Sequence, residues 1–184
     1  PKPGEISLAH NGVLFLDEVP EYSRQVLEVL REPLESGEIW ISRAAQQVRY
    51  PAHFQLIAAM NPCPCGYFGD DTRECDCSAQ QIHRYRSRLS GPLLDRIDLH
   101  IEVPPLPAGT LSDETTDKSK AGELKLTIAK TRTLMLERQG MLNSELTNRQ
   151  ITRHCPLSQA DSRVLDEAVN KLGISARGYF KILK

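Results

Sequence analysis

The sequence predicts an α/β fold, half of a parallel-sheet domain followed by a small all-helical unit, on three observations. Val13-Leu14-Phe15-Leu16 is an uninterrupted apolar run ending in Asp17-Glu18. A second apolar segment, His53 to Met60, closes at Asn61-Pro62, and beyond residue 122 the apolar residues recur at helical spacing. Short continuous apolar runs mark strands covered on both faces of a parallel sheet, and acids at the carboxyl end of such a strand lie where α/β proteins put their chemistry.

The elements follow in order. After the first strand, Val26, Leu27, Leu30 and Leu34 recur at helical spacing, so one helix is expected over 21–36 with Gly37 as its stop. Residues 38–43 and 46–50 read as a hairpin around Ala44-Ala45, with Trp40 and Tyr50 as packing residues rather than base-stacking ones, the weaker alternative. Pro62 bars helical continuation of Asn61 and leaves that Asn at the tip of the second strand. Residues 62–77 have loop composition, Ser78 caps a helix over 79–89, and Gly91-Pro92 breaks it. A short helical turn at 93–96 and a third strand at 99–103 complete the first domain, residues 1–104. Pro104, Pro105, Pro107 and Gly109 open a linker, 105–122. The helical domain, 123–184, carries helices at 123–139, 143–154, 158–172 and from Ser175 onward, with Leu124, Ile128 and Met135 on one core face and Leu165, Val169 and Leu172 on another. The pattern opens just before a strand and stops inside a helix, so the chain reads as a piece of a longer protein.

Composition narrows the function. The 184 residues are 40% hydrophobic and 26% charged, which excludes a disordered or collagen-like chain. Lys and Arg number 23 against 24 Asp and Glu, a formal net charge of -1, so any nucleic-acid contact has to be local. With neither a membrane-length apolar run nor a signal-peptide layout at Pro1, a cytoplasmic protein with no membrane partner is expected.

The motifs carry the chemistry. A strand ending in Asp-Glu suits nucleotide hydrolysis, the Asp holding magnesium and the Glu activating water, although an acidic pair after a strand also serves as a helix cap or exposed turn. Asn61 ends the second apolar segment, where it either shares one phosphate with the first strand tip or is a satisfied loop Asn. In Leu93-Leu94-Asp95-Arg96-Ile97-Asp98 the Arg is either structural or reaches an anion across a subunit boundary. Cys63-Pro-Cys65 and Cys75-Asp-Cys77 form two short arms suited to a tetrahedral thiolate site for zinc, with His83 as a spare ligand; free structural thiols and redox pairing are the alternatives. Cys155 is expected to be a lone buried thiol. Arg84, Arg86 and Arg88 with Tyr85 make either a phosphate-contacting patch on DNA or an ordinary solvated or interface helix.

Taken in order, Gly12-Val-Leu-Phe-Leu-Asp17-Glu18, Ala59-Met-Asn61-Pro62, Pro92-Leu-Leu-Asp-Arg96-Ile-Asp98 and Ser175-Ala-Arg177-Gly resemble the magnesium-chelatase-like branch of AAA+ ATPases. Within that branch the chain is most similar to the competence-related ComM/YifB family, which carries a Cys-rich insertion after the Asn-Pro. The resemblance implies the second half of a AAA+ P-loop NTPase module followed by a helical lid. It implies Asp17 and Glu18 as the Walker B pair, Asn61 as first sensor, Arg96 as an arginine finger offered to an adjacent subunit, and Arg177 as second sensor. ATP and Mg2+ are the implied cofactors; Zn2+ in the cysteine cluster is a reading of the residues themselves, beside free thiols and redox pairing. A homo-oligomeric ring, a hexamer, acting on DNA as a helicase or branch-migration motor is the implied whole. The rivals are a chelatase-type remodelling ATPase subunit and a non-enzymatic zinc-stabilised DNA-binding module. Nowhere does the chain contain G-x-x-x-x-G-K-[ST], the phosphate cradle of this fold, so by itself it is expected to be inactive.

Overall fold

The computed structural model describes residues 2–43, 46–104 and 118–184. The Ala44-Ala45 turn and residues 105–117 of the expected linker lie outside them. The chain divides into two units, Pro1–Glu102 and Val103–Lys184.

The first unit is mixed α/β. A short helix α1 (Glu5–Leu8) precedes β1 (Val13–Leu16), and a single 3-10 turn (Val19–Glu21) leads to α2 (Arg24–Val29) and α3 (Arg31–Ser36). The hairpin β2 (Glu38–Arg43) and β3 (Gln46–Pro51) follows, then β4 (Gln55–Ala58), α4 (Ala79–Arg86) and α5 (Gly91–Leu94). β1 and β4 pair in parallel with Val13 opposite Gln55 and Leu16 opposite Ala58. β2 and β3 pair antiparallel, setting Trp40 opposite Arg49, whose guanidinium lies 6.0 Å from the indole centroid.

Leu14 and Leu16 pack against a core of Val19, Leu27, Leu30 and Leu93. Val13, Phe15 and Ile57 stand 54%, 58% and 45% exposed, so the parallel pair is covered on one face and not on both as the apolar run implies. The helices α2, α3 and α5 supply that one cover through Leu27, Leu30 and Leu93.

Two further expectations are corrected. The single helix over 21–36 is two helices meeting at Leu30, because Pro33 has no N–H to donate and its ring conflicts with the carbonyl four residues back; its place in the first turn of α3 avoids both costs. The third strand is absent: residues 99–103 pair with no other strand among the described residues, and Leu99, Ile101 and Val103 are 78%, 80% and 83% exposed. Alternating β-formers become a strand only against a partner edge.

Caps fix the remaining boundaries. Ser78 accepts from Gln81 N–H while the Gln81 side chain accepts from Ser78 N–H, a reciprocal box that starts α4 where the sequence sets it. The second unit is all helical: α6 (Lys118–Gln139), a 3-10 turn (Asn143–Glu145), α7 (Asn148–His154), α8 (Gln159–Leu172) and α9 (Ala176–Leu183). Residues 118–122, read as linker, are the first turn of α6. Ile151, Leu146 and Leu165 form its interior, whereas Leu124 and Ile128 on α6 and Leu172 on α8 are 58%, 58% and 74% exposed, so those predicted core faces are only partly buried. Among the described residues no helix is long and apolar enough to cross a membrane.

Gly37 ends α3 with φ +70°, and a Cβ there would lie 2.2 Å from His53 Cε1. A Gly37→Ala substitution in the intact protein therefore meets both backbone strain and a clash, and is expected to cost more than about 1 kcal/mol. A lowered urea midpoint checks this; an unchanged midpoint contradicts it.

Candidate functional site

The site is built on the parallel ladder. Where β1 ends, Ala59 N–H donates to Leu16 O at 2.9 Å; after a two-residue excursion, Val19 N–H donates to Ala59 O at 3.0 Å. Asp17 and Glu18 occupy that excursion, so backbone bonds on either side pin the acidic tip beside the Ala59-Met60-Asn61 tip. Both carboxylates are exposed. Asp17 Oδ1 accepts the Glu18 N–H at 2.9 Å, which fixes the Asp17 side chain against its own backbone. Glu18 sits in the left-handed region, φ 48°, ψ 45°. Such a conformation costs a non-Gly residue roughly 1–2 kcal/mol and is found where surrounding structure over-determines it, commonly at functional sites.

The structure gathers Asp17, Glu18 and Asn61 and separates the predicted arginines into other jobs. Arg96 is 11% exposed; it donates to Arg31 O at 3.0 Å and Pro92 O at 2.6 Å and pairs with Glu35. It clasps α5 to α3. Arg86 donates from Nε to Pro62 O at 3.0 Å and lies 5.0 Å from the Phe68 ring centroid. Arg88 donates to Pro20 O and stands 3.4 Å from Glu21. Arg84 is exposed on the same helix. Arg177 is half-buried at the start of α9, in the second unit.

Tyr85 is the site residue that the sequence reading had reserved for stacking. It is 6% exposed. Burial raises the Tyr85 pKa, the nearby Asn61 backbone opposing that rise. Neither this contact nor the Glu35 partner of Arg96 has a signal in residue spacing.

The cysteines converge. The Sγ atoms of Cys63, Cys65, Cys75 and Cys77 all lie within 4.8 Å of one another. Cys63 to Cys65, Cys63 to Cys75 and Cys65 to Cys75 are 3.3, 3.6 and 3.5 Å apart. A tetrahedral zinc with Zn–S bonds of ~2.3 Å spaces its sulfurs by about 3.8 Å, so the donor set fits that ion. His83, the spare ligand of the sequence reading, is not in the group. The thiols are chemically unequal. A backbone hydrogen bond from Tyr67 leads the lowering of Cys65 to about 6. At Cys75 a backbone bond from Cys77 lowers the pKa, but burial and the neighbouring thiols outweigh it and carry it to about 12. Burial leads the rise at Cys77. Cys155 is half-buried.

Comparison with known proteins gives one family across the chain. The profile of magnesium chelatase, subunit ChlI, matches residues 1–111, and that of magnesium chelatase, subunit ChlI C-terminal, matches residues 118–184. Competence protein ComM of Haemophilus influenzae is 52% identical over 185 aligned residues, all of this chain and 36% of the relative. YifB of Salmonella typhimurium is 46% identical with the same coverage. The magnesium-chelatase 38 kDa subunit of Cereibacter sphaeroides is 33% identical over 61 residues, 33% of this chain and 18% of the relative. The chain thus spans 36% of the length of the relatives that it matches end to end.

With Cys65 lowered to about 6 and Cys75 raised to about 12, the metal-free protein near neutral pH is expected to carry more thiolate at Cys65 than at Cys75. Iodoacetamide, which takes the thiolate, is therefore expected to label Cys65 ahead of Cys75 in peptide mass mapping. Equal labelling contradicts the inequality.

Proposed function

The chain belongs to the magnesium chelatase subunit ChlI family, and from that premise we propose that the full-length protein is a ring-forming AAA+ ATPase whose metal-anchoring, water-activating and sensing residues lie in this chain. The observation that carries the reading is the β1–β4 register, Leu16 opposite Ala58, with the bonds at Ala59 and Val19 that hold Asp17-Glu18 against the Asn61 tip. Two hard carboxylates and a carboxamide at adjoining strand ends are the groups that a metal-bound nucleoside triphosphate needs from this side of the site.

Each residue has a distinct task in this reading. Asp17 offers magnesium an exposed carboxylate already oriented by the Glu18 N–H. Magnesium held there would supply positive charge to offset that developing on the phosphates. Glu18, displaced from strand geometry by its left-handed backbone, accepts a proton from the attacking water, and Asn61 donates to the terminal phosphate oxygen. Arg96 serves as arginine finger toward a neighbouring subunit, for which it must leave Glu35. Arg177 serves as second sensor in a helical lid. The four thiols hold Zn2+, and the ring is a hexamer in the cytoplasm.

DNA is the substrate in this reading, supported by the 52% identity to a protein named for competence, with helicase or branch-migration work as the output. The second reading, a chelatase-type remodelling subunit, draws on the likeness to the 38 kDa subunit. Stimulation of ATP hydrolysis by DNA separates the two.

Glu18→Gln in the full-length protein is expected to keep ATP binding and lose hydrolysis by about 10²-fold or more. The 184-residue chain alone is expected to turn over ATP no faster than its own Glu18→Gln variant. Full-length Glu18→Gln working at the wild-type rate contradicts the assignment.

A further inference from the structure

The helix α4 and the turn that follows it reach both strand tips. Arg88, two residues past the end of α4, donates to the carbonyl of Pro20, two residues after Glu18. Tyr85 on α4 is buried. Arg86 bonds the carbonyl of Pro62 at 3.0 Å, the residue following Asn61, and its guanidinium lies over Phe68 inside the cysteine loop. Cys63, fully buried, comes two residues after Asn61.

The loop that holds Phe68 has little apolar support of its own. Between Cys65 and Cys75 the chain is Gly, Tyr, Phe, Gly, Asp, Asp, Thr, Arg and Glu, and its internal order rests on an Asp70 turn to Thr72 and Arg73 and on Arg73 against Tyr67. The four converging thiols are its one strong tie point.

We propose that α4 and the four-thiol knuckle form a brace that fixes Asn61 relative to the Asp17-Glu18 tip, with Arg86 as the positioning residue and a zinc ion in the knuckle as the anchor. This rests on the ATPase and zinc readings given above. The chain of contact is short: metal to Cys63, Cys63 through Pro62 to Asn61, and in parallel metal to the loop, Phe68 to Arg86, Arg86 to the Pro62 carbonyl. Arg86 and Arg88, which by composition suggest a patch for nucleic acid, are engaged with backbone carbonyls inside the unit. A small displacement of a reacting group far from the chemistry is enough to cost one or two orders of magnitude in rate, so the brace acts on turnover and leaves nucleotide affinity alone.

The test uses the full-length protein and reads zinc content, the kcat and KM for ATP, and thermal melting. Wild type is expected to hold one zinc per subunit. Arg86→Ala is expected to keep the zinc and lower kcat about tenfold with KM within a factor of two, and Arg86→Lys, which can still donate to the Pro62 carbonyl, to recover most of it. Cys75→Ser is expected to lose zinc and show the same kcat loss. Arg86→Ala at wild-type kcat overturns the brace while leaving the ATPase reading intact. A zinc-free wild type overturns the metal anchor, whatever Arg86 does, and a wild type without ATPase activity overturns the reading on which both stand. Equal loss of kcat and affinity in Arg86→Ala, with a lowered melting temperature and no rescue by Lys, marks a fold defect and also overturns the proposal.

Discussion

The site depends on the parallel register of two four-residue strands. Because Leu16 lies opposite Ala58 and the backbone bonds at Ala59 and Val19 extend the pairing past the strand ends, the acidic pair is held beside the tip that carries Asn61. The side-chain period of a strand is two, so a slip of one residue would turn Leu14 and Leu16 out of the core and bring Val13 and Phe15 in. The core of Val19, Leu27, Leu30 and Leu93 thereby specifies the register, and the register specifies the site. The left-handed Glu18 is the local consequence: two residues must be accommodated between bonds to Leu16 and Ala59, and Glu18 takes the strain.

The cysteine loop follows the same tip. Ordering a residue costs roughly 1–2 kcal/mol in backbone entropy, a cost that the loop's few apolar side chains are poorly placed to offset. A metal held by thiols gathered at this spacing would provide what burial does not, and the α4 capping box fixes the start of the helix that follows the loop. Covalent continuity from Asn61 through Pro62 to Cys63 ties the position of Asn61 to the order of the loop.

Much of this was legible in the residues, element by element. The apolar run of β1, the Asn-Pro stop after β4, the Ser78 cap and the cysteine spacing each have a local cause and were read correctly as to place. What failed depends on partners that lie elsewhere in space. Leu99, Ile101 and Val103 alternate as a strand does, yet a ladder needs a second edge. Leu124 and Ile128 sit at core spacing on α6 yet remain more than half exposed. The break at Leu30 was signalled by Pro33, a local cue outweighed by the apolar periodicity around it. Arginine partners were the least legible: Glu35 is 61 residues from Arg96 and Pro20 is 68 from Arg88, separations that no pattern of charge reveals.

The distance from the Asp17 carboxylate and the Asn61 carboxamide to a shared nucleotide is the most direct measure of whether the ladder builds a catalytic site. A structure of the full-length protein with magnesium and a non-hydrolysable ATP analogue gives it. The register predicts Asp17 beside the metal and the Asn61 amide within hydrogen-bonding reach of the terminal phosphate of the same nucleotide. Finding the nucleotide elsewhere, or the two side chains directed to different ligands, would contradict it.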